Sequence, residues 1–153
     1  MTNNDCLRRI RYILDFNDSK MIAIFGLAKV TTDRKEVSAW LKQDEDTDFE
    51  KCSDASFAAF LNGMIIALRG EKEGEPPRVE IKLNNNMVFM KLKIALSLKA
   101  DEILKILESA GQEISKHELS AFFRRPDHKH YRECKDQILR NFLNGLKINY
   151  RDD

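Results

Sequence analysis

Apolar residues recur along this chain at helical spacing. The clearest run is Phe57, Phe60, Leu61, Met64, Ile65 and Leu68, at i, i+3, i+4, i+7, i+8 and i+11, which predicts a helix from about Asp54. A similar run starts near Asp136. Earlier, Cys6, Ile10, Ile13 and Leu14 are spaced to share one face of a helix capped at Asn4, with Asn86 as the matching cap. A second helix is expected from about Asp18 or Asp101, where Ile103, Leu104, Ile106 and Leu107 point inward. A third follows a cap at Thr32 or Ser115. Ser115 and Glu118 have capping-box spacing, with Leu119, Phe122 and Phe123 as the buried stripe.

These paired runs belong to a duplication. A shift of 82 positions aligns residues 3–70 with 85–152 without a gap. Identities include Asn3/Asn85, Asn4/Asn86, Leu14/Leu96, Ile24/Ile106, Ala28/Ala110, Cys52/Cys134 and Asp54/Asp136. Apolar exchanges such as Trp40/Phe122 and Phe49/Tyr131 fill many of the remaining positions. The register holds throughout, as tandem copies of one unit require. The expected architecture is all-α: two tandem four-helix repeats over 1–70 and 85–153, joined by a linker over 71–84. Gly70, Gly74 and Pro76-Pro77 stop the preceding helix, and Val79, Ile81 and Leu83 alternate with polar residues as an extended connector would.

Both fourth helices carry Phe-Leu-Asn-Gly, at Phe60–Gly63 and Phe142–Gly145. A mid-helix glycine costs about 1 kcal/mol relative to alanine, so its recurrence predicts close approach of another backbone at Gly63 and Gly145. Asn62 and Asn144 are expected to hydrogen-bond across the same contact. A repeat this small is a marginal core alone. The expected geometry therefore relates the repeats by a pseudo-twofold and packs them through their fourth helices.

Composition narrows the functional classes. With 42% hydrophobic and 33% charged residues and a net charge of +1, the chain has the make-up of a globular domain without global bias toward polyanions. The start of the chain has no secretory pattern, no apolar run reaches membrane-spanning length, and three cysteines without a CxxC suit a reducing compartment. A cytoplasmic protein without membrane contact is expected. There is no GxGxxG, P-loop, GxSxG or HExxH. Cys52 and Cys134 are expected to be structural, and no catalytic residue, cofactor or metal is assigned. His128, His130 and Cys134 have donor types that suit zinc, but their counterparts Asp46, Asp48 and Cys52 offer a different set.

The basic residues carry the remaining signal. Residues 85–153 hold 13 Lys+Arg against 10 Asp+Glu, whereas residues 1–70 hold 10 against 11. The second and third helices of each repeat have the outline of a helix-turn-helix. Arg8, Arg9, Lys116, Arg124 and Arg125 are the candidate nucleic-acid-binding residues, with Lys116, His117, Ser120 and Arg124 on the recognition face. The alternative is a protein-interaction or self-associating scaffold using apolar surface around Trp40 and Phe49.

The paired pattern C-x-D-x-x-[FL]-x-x-F-L-N-G, the asparagine-rich helix starts and the Pro126–Cys134 stretch resemble the bacterial YehS family of uncharacterised proteins. The likeness spans essentially the whole chain. It implies a small bacterial cytosolic protein built from two copies of one domain, and no activity or catalytic residues come with it.

Overall fold

The computed structural model describes residues 1–72, 74 and 78–151. Among them are eight helices and no strand: α1 (Asn3–Leu14), α2 (Asp18–Leu27), α3 (Arg34–Leu41), α4 (Asp54–Arg69), α5 (Asn85–Ala95), α6 (Ala100–Ser109), α7 (Lys116–Phe122) and α8 (Asp136–Tyr150). They form two compact units, Met1–Leu83 and Asn84–Asp153, each with four helices. The linker residues before Asn84 thus group with the first unit. Leu83 N–H donates to Asp54 Oδ2 at 2.9 Å, tying the linker's end to the start of α4. Pro76 and Pro77, expected to stop α4, lie outside the described residues; α4 itself ends at Gly70, whose φ is +85°.

Six of the eight helix starts carry a side-chain cap, with two corrections to the expected residues; Lys99 and Lys135, which precede α6 and α8, make no such bond. Thr2, not Asn4, caps α1, in a reciprocal box with Asp5; Asn84 caps α5. Asp33, not Thr32, caps α3 by accepting from Glu36 N–H at 2.8 Å. Ser115 and Glu118 form the expected capping box on α7. Displacement from the cap frees Asn4 and Asn86 for a different task, described below. The end of the second helix is also shared by the repeats. Val30 N–H donates to Phe25 O at 3.1 Å, and Gln112 N–H to Leu107 O at 2.9 Å. Both bonds cross a left-handed residue, Lys29 (φ 65°) in one copy and Gly111 (φ 82°) in the other.

The recurring glycine answers to packing inside each repeat. A Cβ on Gly63 would collide with the Ile24 carbonyl oxygen of α2 and sit 2.9 Å from its carbon. A Cβ on Gly145 would meet the Ile106 carbonyl of α6 in the same way, 2.8 Å from its carbon. Each glycine therefore lets the fourth helix rest directly on the backbone of the second. The close approach predicted at the pair is real. Its partner is the second helix of the same repeat, which corrects the expectation that the glycines mark a crossing between the two fourth helices. Asn62 is 5% exposed and Asn144 is half-buried.

The two cores take their central ring from different helices. In repeat 1, Phe25 of α2 packs against Trp40 and Phe60, with ring centres 5.3 and 5.2 Å apart. In repeat 2, Phe89 of α5 packs against Phe122 and Phe142, at 6.2 and 4.5 Å. Trp40 corresponds to Phe122 and Phe60 to Phe142, so the two central rings occupy equivalent space. The counterpart of Phe25 is Leu107 and that of Phe89 is Leu7, all four fully buried. Leucine and phenylalanine have exchanged helices, keeping the core's volume constant.

Candidate functional site

Four residues identical in both copies build a polar clasp beneath one surface turn. Asn4 Nδ2 donates to Trp40 O and Glu50 O, each at 2.9 Å, while its Oδ1 accepts from Cys52 N–H at 3.0 Å. Asn86 repeats this with Phe122 O (3.0 Å), Arg132 O (2.7 Å) and Cys134 N–H (2.9 Å). Both asparagines are buried, and each satisfies three backbone groups in the core. Asn3 adds bonds to Cys52 O at 3.1 Å and Asp54 Oδ1 at 2.7 Å; Asn85 does the same with Cys134 O and Asp136 Oδ1. The Asn3 amide, with Leu83 N–H, holds the Asp54 carboxyl below its ordinary range. These residues fasten the first helix to both ends of the segment joining the third and fourth. Their identity between copies was visible in the sequence, but the pattern alone suggested only helix caps.

The clasped segment turns the same way in both copies. Asp46 N–H donates to Gln43 O, Phe49 N–H to Asp46 O and Glu50 N–H to Ala39 O. The second copy has His128 to Arg125 O, Tyr131 to His128 O and Arg132 to Ala121 O. One side chain braces each turn: Asp46 Oδ1 accepts from Asp48 N–H at 2.9 Å, and His128 Nδ1 accepts from His130 N–H at 3.0 Å. A carboxylate and an imidazole nitrogen thus do one geometric task.

The outward charge is reversed. Residues 33–53 carry four Lys+Arg and seven Asp+Glu, a balance of −3; residues 115–135 carry six and three, a balance of +3. Arg125, Lys129, His130 and Arg132 are exposed on the basic turn. Lys116 and His117 are exposed at the start of α7, and Ser120 is exposed one turn later. All three histidines gather here, with ring centres 6.3 Å apart for His117–His130 and 5.6 Å for His128–His130. Acidic partners are sparse and loosely placed: Asp127 lies 3.6 Å from Arg125, Glu118 3.6 Å from Arg132 and Asp101 3.5 Å from Lys116. Such exposed pairs are weak and leave the face basic. Lys129 and Arg132 join the predicted residues only through the folded turn, which no local motif announces.

The predicted binding residues divide into two groups. Lys116 and Arg125 lie on this face, and half-buried Arg124 sits behind it, its Nη1 3.4 Å from His128 Nε2. Arg8 belongs to the other unit and is engaged structurally. It pairs with Asp5, reaches Asp44 at 3.6 Å, donates to Lys42 O, and its side chain is only 17% exposed. Arg9 is half-buried on the same helix. The scaffold alternative also changes, because Trp40 is 7% exposed and packed on Phe25, leaving little apolar surface there. The helix-turn-helix outline persists as order rather than dimension. Residues 110–115 connect α6 to α7, longer than the usual turn of about three or four residues.

Cys52 and Cys134 are poor nucleophiles. Burial, followed by the Asp54 and Glu36 charges, pushes Cys52 up to about 12; burial and then Asp136 do the same to Cys134. A thiolate is the reactive form, so neither site favours nucleophilic chemistry. Among the described residues, no three His, Cys, Asp or Glu side chains are grouped to hold a metal ion. No described helix is long and apolar enough to cross a membrane.

The duplicated clasp coincides with a known family. A family described as "Protein of unknown function (DUF1456)" matches residues 3–70 and again 85–152. The chain belongs to this family. It is also 43% identical over 147 residues to the Uncharacterized protein YehS of Escherichia coli (strain K12), covering 95% of this chain and 94% of that protein. No solved structure matches it. The boundaries of the two family matches are those of the duplication, so the unit of the family is one four-helix repeat.

Proposed function

We propose that this chain is a non-catalytic binding module of a reducing cytoplasm that contacts nucleic acid through the basic face of repeat 2. Lys116, Arg125, Lys129 and Arg132 would meet phosphates, with Arg124 behind them and His117 and Ser120 toward base edges or sugar. The observation that carries this reading is the +3 balance of residues 115–135, held outward on a braced turn. Cations on a braced turn lose less backbone freedom on binding than those on a flexible tail, and phosphate contacts release condensed counterions. The raised thiol pKa values support the non-catalytic part, and three free buried cysteines suit a reducing compartment.

Fluorescence anisotropy with labelled duplex and single-stranded oligonucleotides, titrated across salt, tests the reading. Binding should weaken steeply with salt. Arg125→Gln with Lys129→Gln should flatten the log–log salt slope by about 2, one for each lost phosphate contact. Absence of binding at low salt would remove nucleic acid as the ligand, and binding indifferent to that double substitution would remove this face as its site.

A further inference from the structure

We infer that the acidic face of repeat 1 is a docking surface for the basic face of repeat 2 in a second copy of this chain. The occupant is specified by charge complementarity. Repeat 1 presents Glu45, Asp48 and Glu50 on a turn with the same hydrogen-bonded backbone as the turn presenting Arg125, Lys129 and Arg132. The balances of the two segments are −3 and +3. Beside the acidic turn lies an open hollow of about 440 Å³ lined by the carboxylates of Asp33, Glu36 and Glu50 together with Lys35, Ala39, Trp40 and Lys51. Long cationic side chains such as Arg125, 86% exposed, and Lys129 suit that hollow, because their heads can reach its Asp33, Glu36 and Glu50 carboxylates.

Sparse opposite charges recur on each side. Asp127, Glu118 and Glu133 interrupt the basic face, and Lys35 and Lys51 interrupt the acidic one. They provide the register that a uniform charge would lack. Because each molecule carries both faces, the contact is heterologous and leaves one face of every kind free. Such a contact closes into a ring or continues as an open chain. This inference shares the basic face with the nucleic-acid reading but adds the acidic one, so the two can fail separately.

Sedimentation velocity across protein concentration and salt is the test. The parent chain should gain weight-average mass with concentration at low salt and return to monomer as exposed charges are screened. Glu45→Gln/Asp48→Asn/Glu50→Gln should remain monomeric, as should Arg125→Gln/Lys129→Gln. Mixed together, the two variants should form a species of two chains and nothing larger, because each retains the face its partner needs. That rescue also shows both variants to be folded. The acidic-face variant should keep the parent's oligonucleotide affinity. A parent chain that stays monomeric at low salt throughout overturns the inference, as does association that survives neutralisation of either face. A mixture that fails to pair also overturns it when both variants melt like the parent.

Discussion

In the turn after α3 the bracing side chain is Asp46; in the turn after α7 it is His128. The backbone bonds around them are the same pair by pair, and the clasping asparagines beneath are the same residue. Yet one turn faces outward with excess carboxylates and the other with excess cations. The contrast separates what the fold requires from what the surface is free to vary. Fold requirements fall on Asn4/Asn86, Cys52/Cys134 and Gly63/Gly145, whose partners are backbone groups or core. Residues such as Asp48 and His130 project into water, where exchange costs little.

The largest effects are expected where both repeats obey one constraint. Gly63→Ala and Gly145→Ala each place a methyl against an α2 or α6 carbonyl that cannot rotate away. Chemical denaturation should show losses of about 3 kcal/mol or more, at the upper end of overpacking, whereas an ordinary mid-helix glycine would gain about 1 kcal/mol on the same change. Gly63→Leu and Gly145→Leu should be worse still. Parent-like stability in the alanine variants would break the equivalence of the crossings.

Next come the clasps. Asn4→Ala or Asn86→Ala leaves two carbonyls and one N–H without their side-chain partner, at about 1–3 kcal/mol for each group that water cannot reach. Equal losses of about 2–4 kcal/mol at both sites would sharpen the comparison. An ionised carboxylate cannot donate to the carbonyls, and burial beside them raises the carboxyl pKa, so Asn4→Asp should destabilise increasingly as pH rises.

Smaller effects test where the repeats differ. Leu7→Phe adds a second ring to a filled core and should cost about 1–3 kcal/mol. Combined with Phe25→Leu, it should recover much of that loss, because the double variant reproduces the Phe89–Leu107 arrangement. Strict additivity would show that the two rings do not share one space. Smallest are two gains. Gly26 lies exposed within α2 with nothing near its missing Cβ, and Lys29 holds the left-handed position where repeat 2 has Gly111. Gly26→Ala and Lys29→Gly should each stabilise by up to about 1 kcal/mol in thermal melts.

The helices and the duplication were legible because their cause is local. A six-position apolar stripe such as Phe57 to Leu68 has one regular solution, and a shared register between copies leaves little freedom in topology. Gly63 announced a close approach but not its partner, since nothing in Phe-Leu-Asn-Gly says which backbone lies opposite. Asn4 was read as a cap because its bonds to Trp40 O and Glu50 O close over long stretches of chain. Arg8 and Lys116 looked alike in sequence. Only the folded turn shows one spent on Asp5, Asp44 and Lys42 and the other facing outward.

A chimera tests the separation of scaffold from surface most directly. Residues 43–49 are replaced by the sequence of 125–131, Arg-Pro-Asp-His-Lys-His-Tyr, and its thermal unfolding is compared with the parent's. The exchange forfeits the partly exposed, 3.6 Å Asp44–Arg8 pair, worth about 1 kcal/mol, and keeps the turn and its clasp. The prediction is a cooperative transition within a few degrees of the parent. A chimera that loses cooperativity or melts tens of degrees lower would mean that each turn is bound to its own repeat, contradicting a common frame with exchangeable faces.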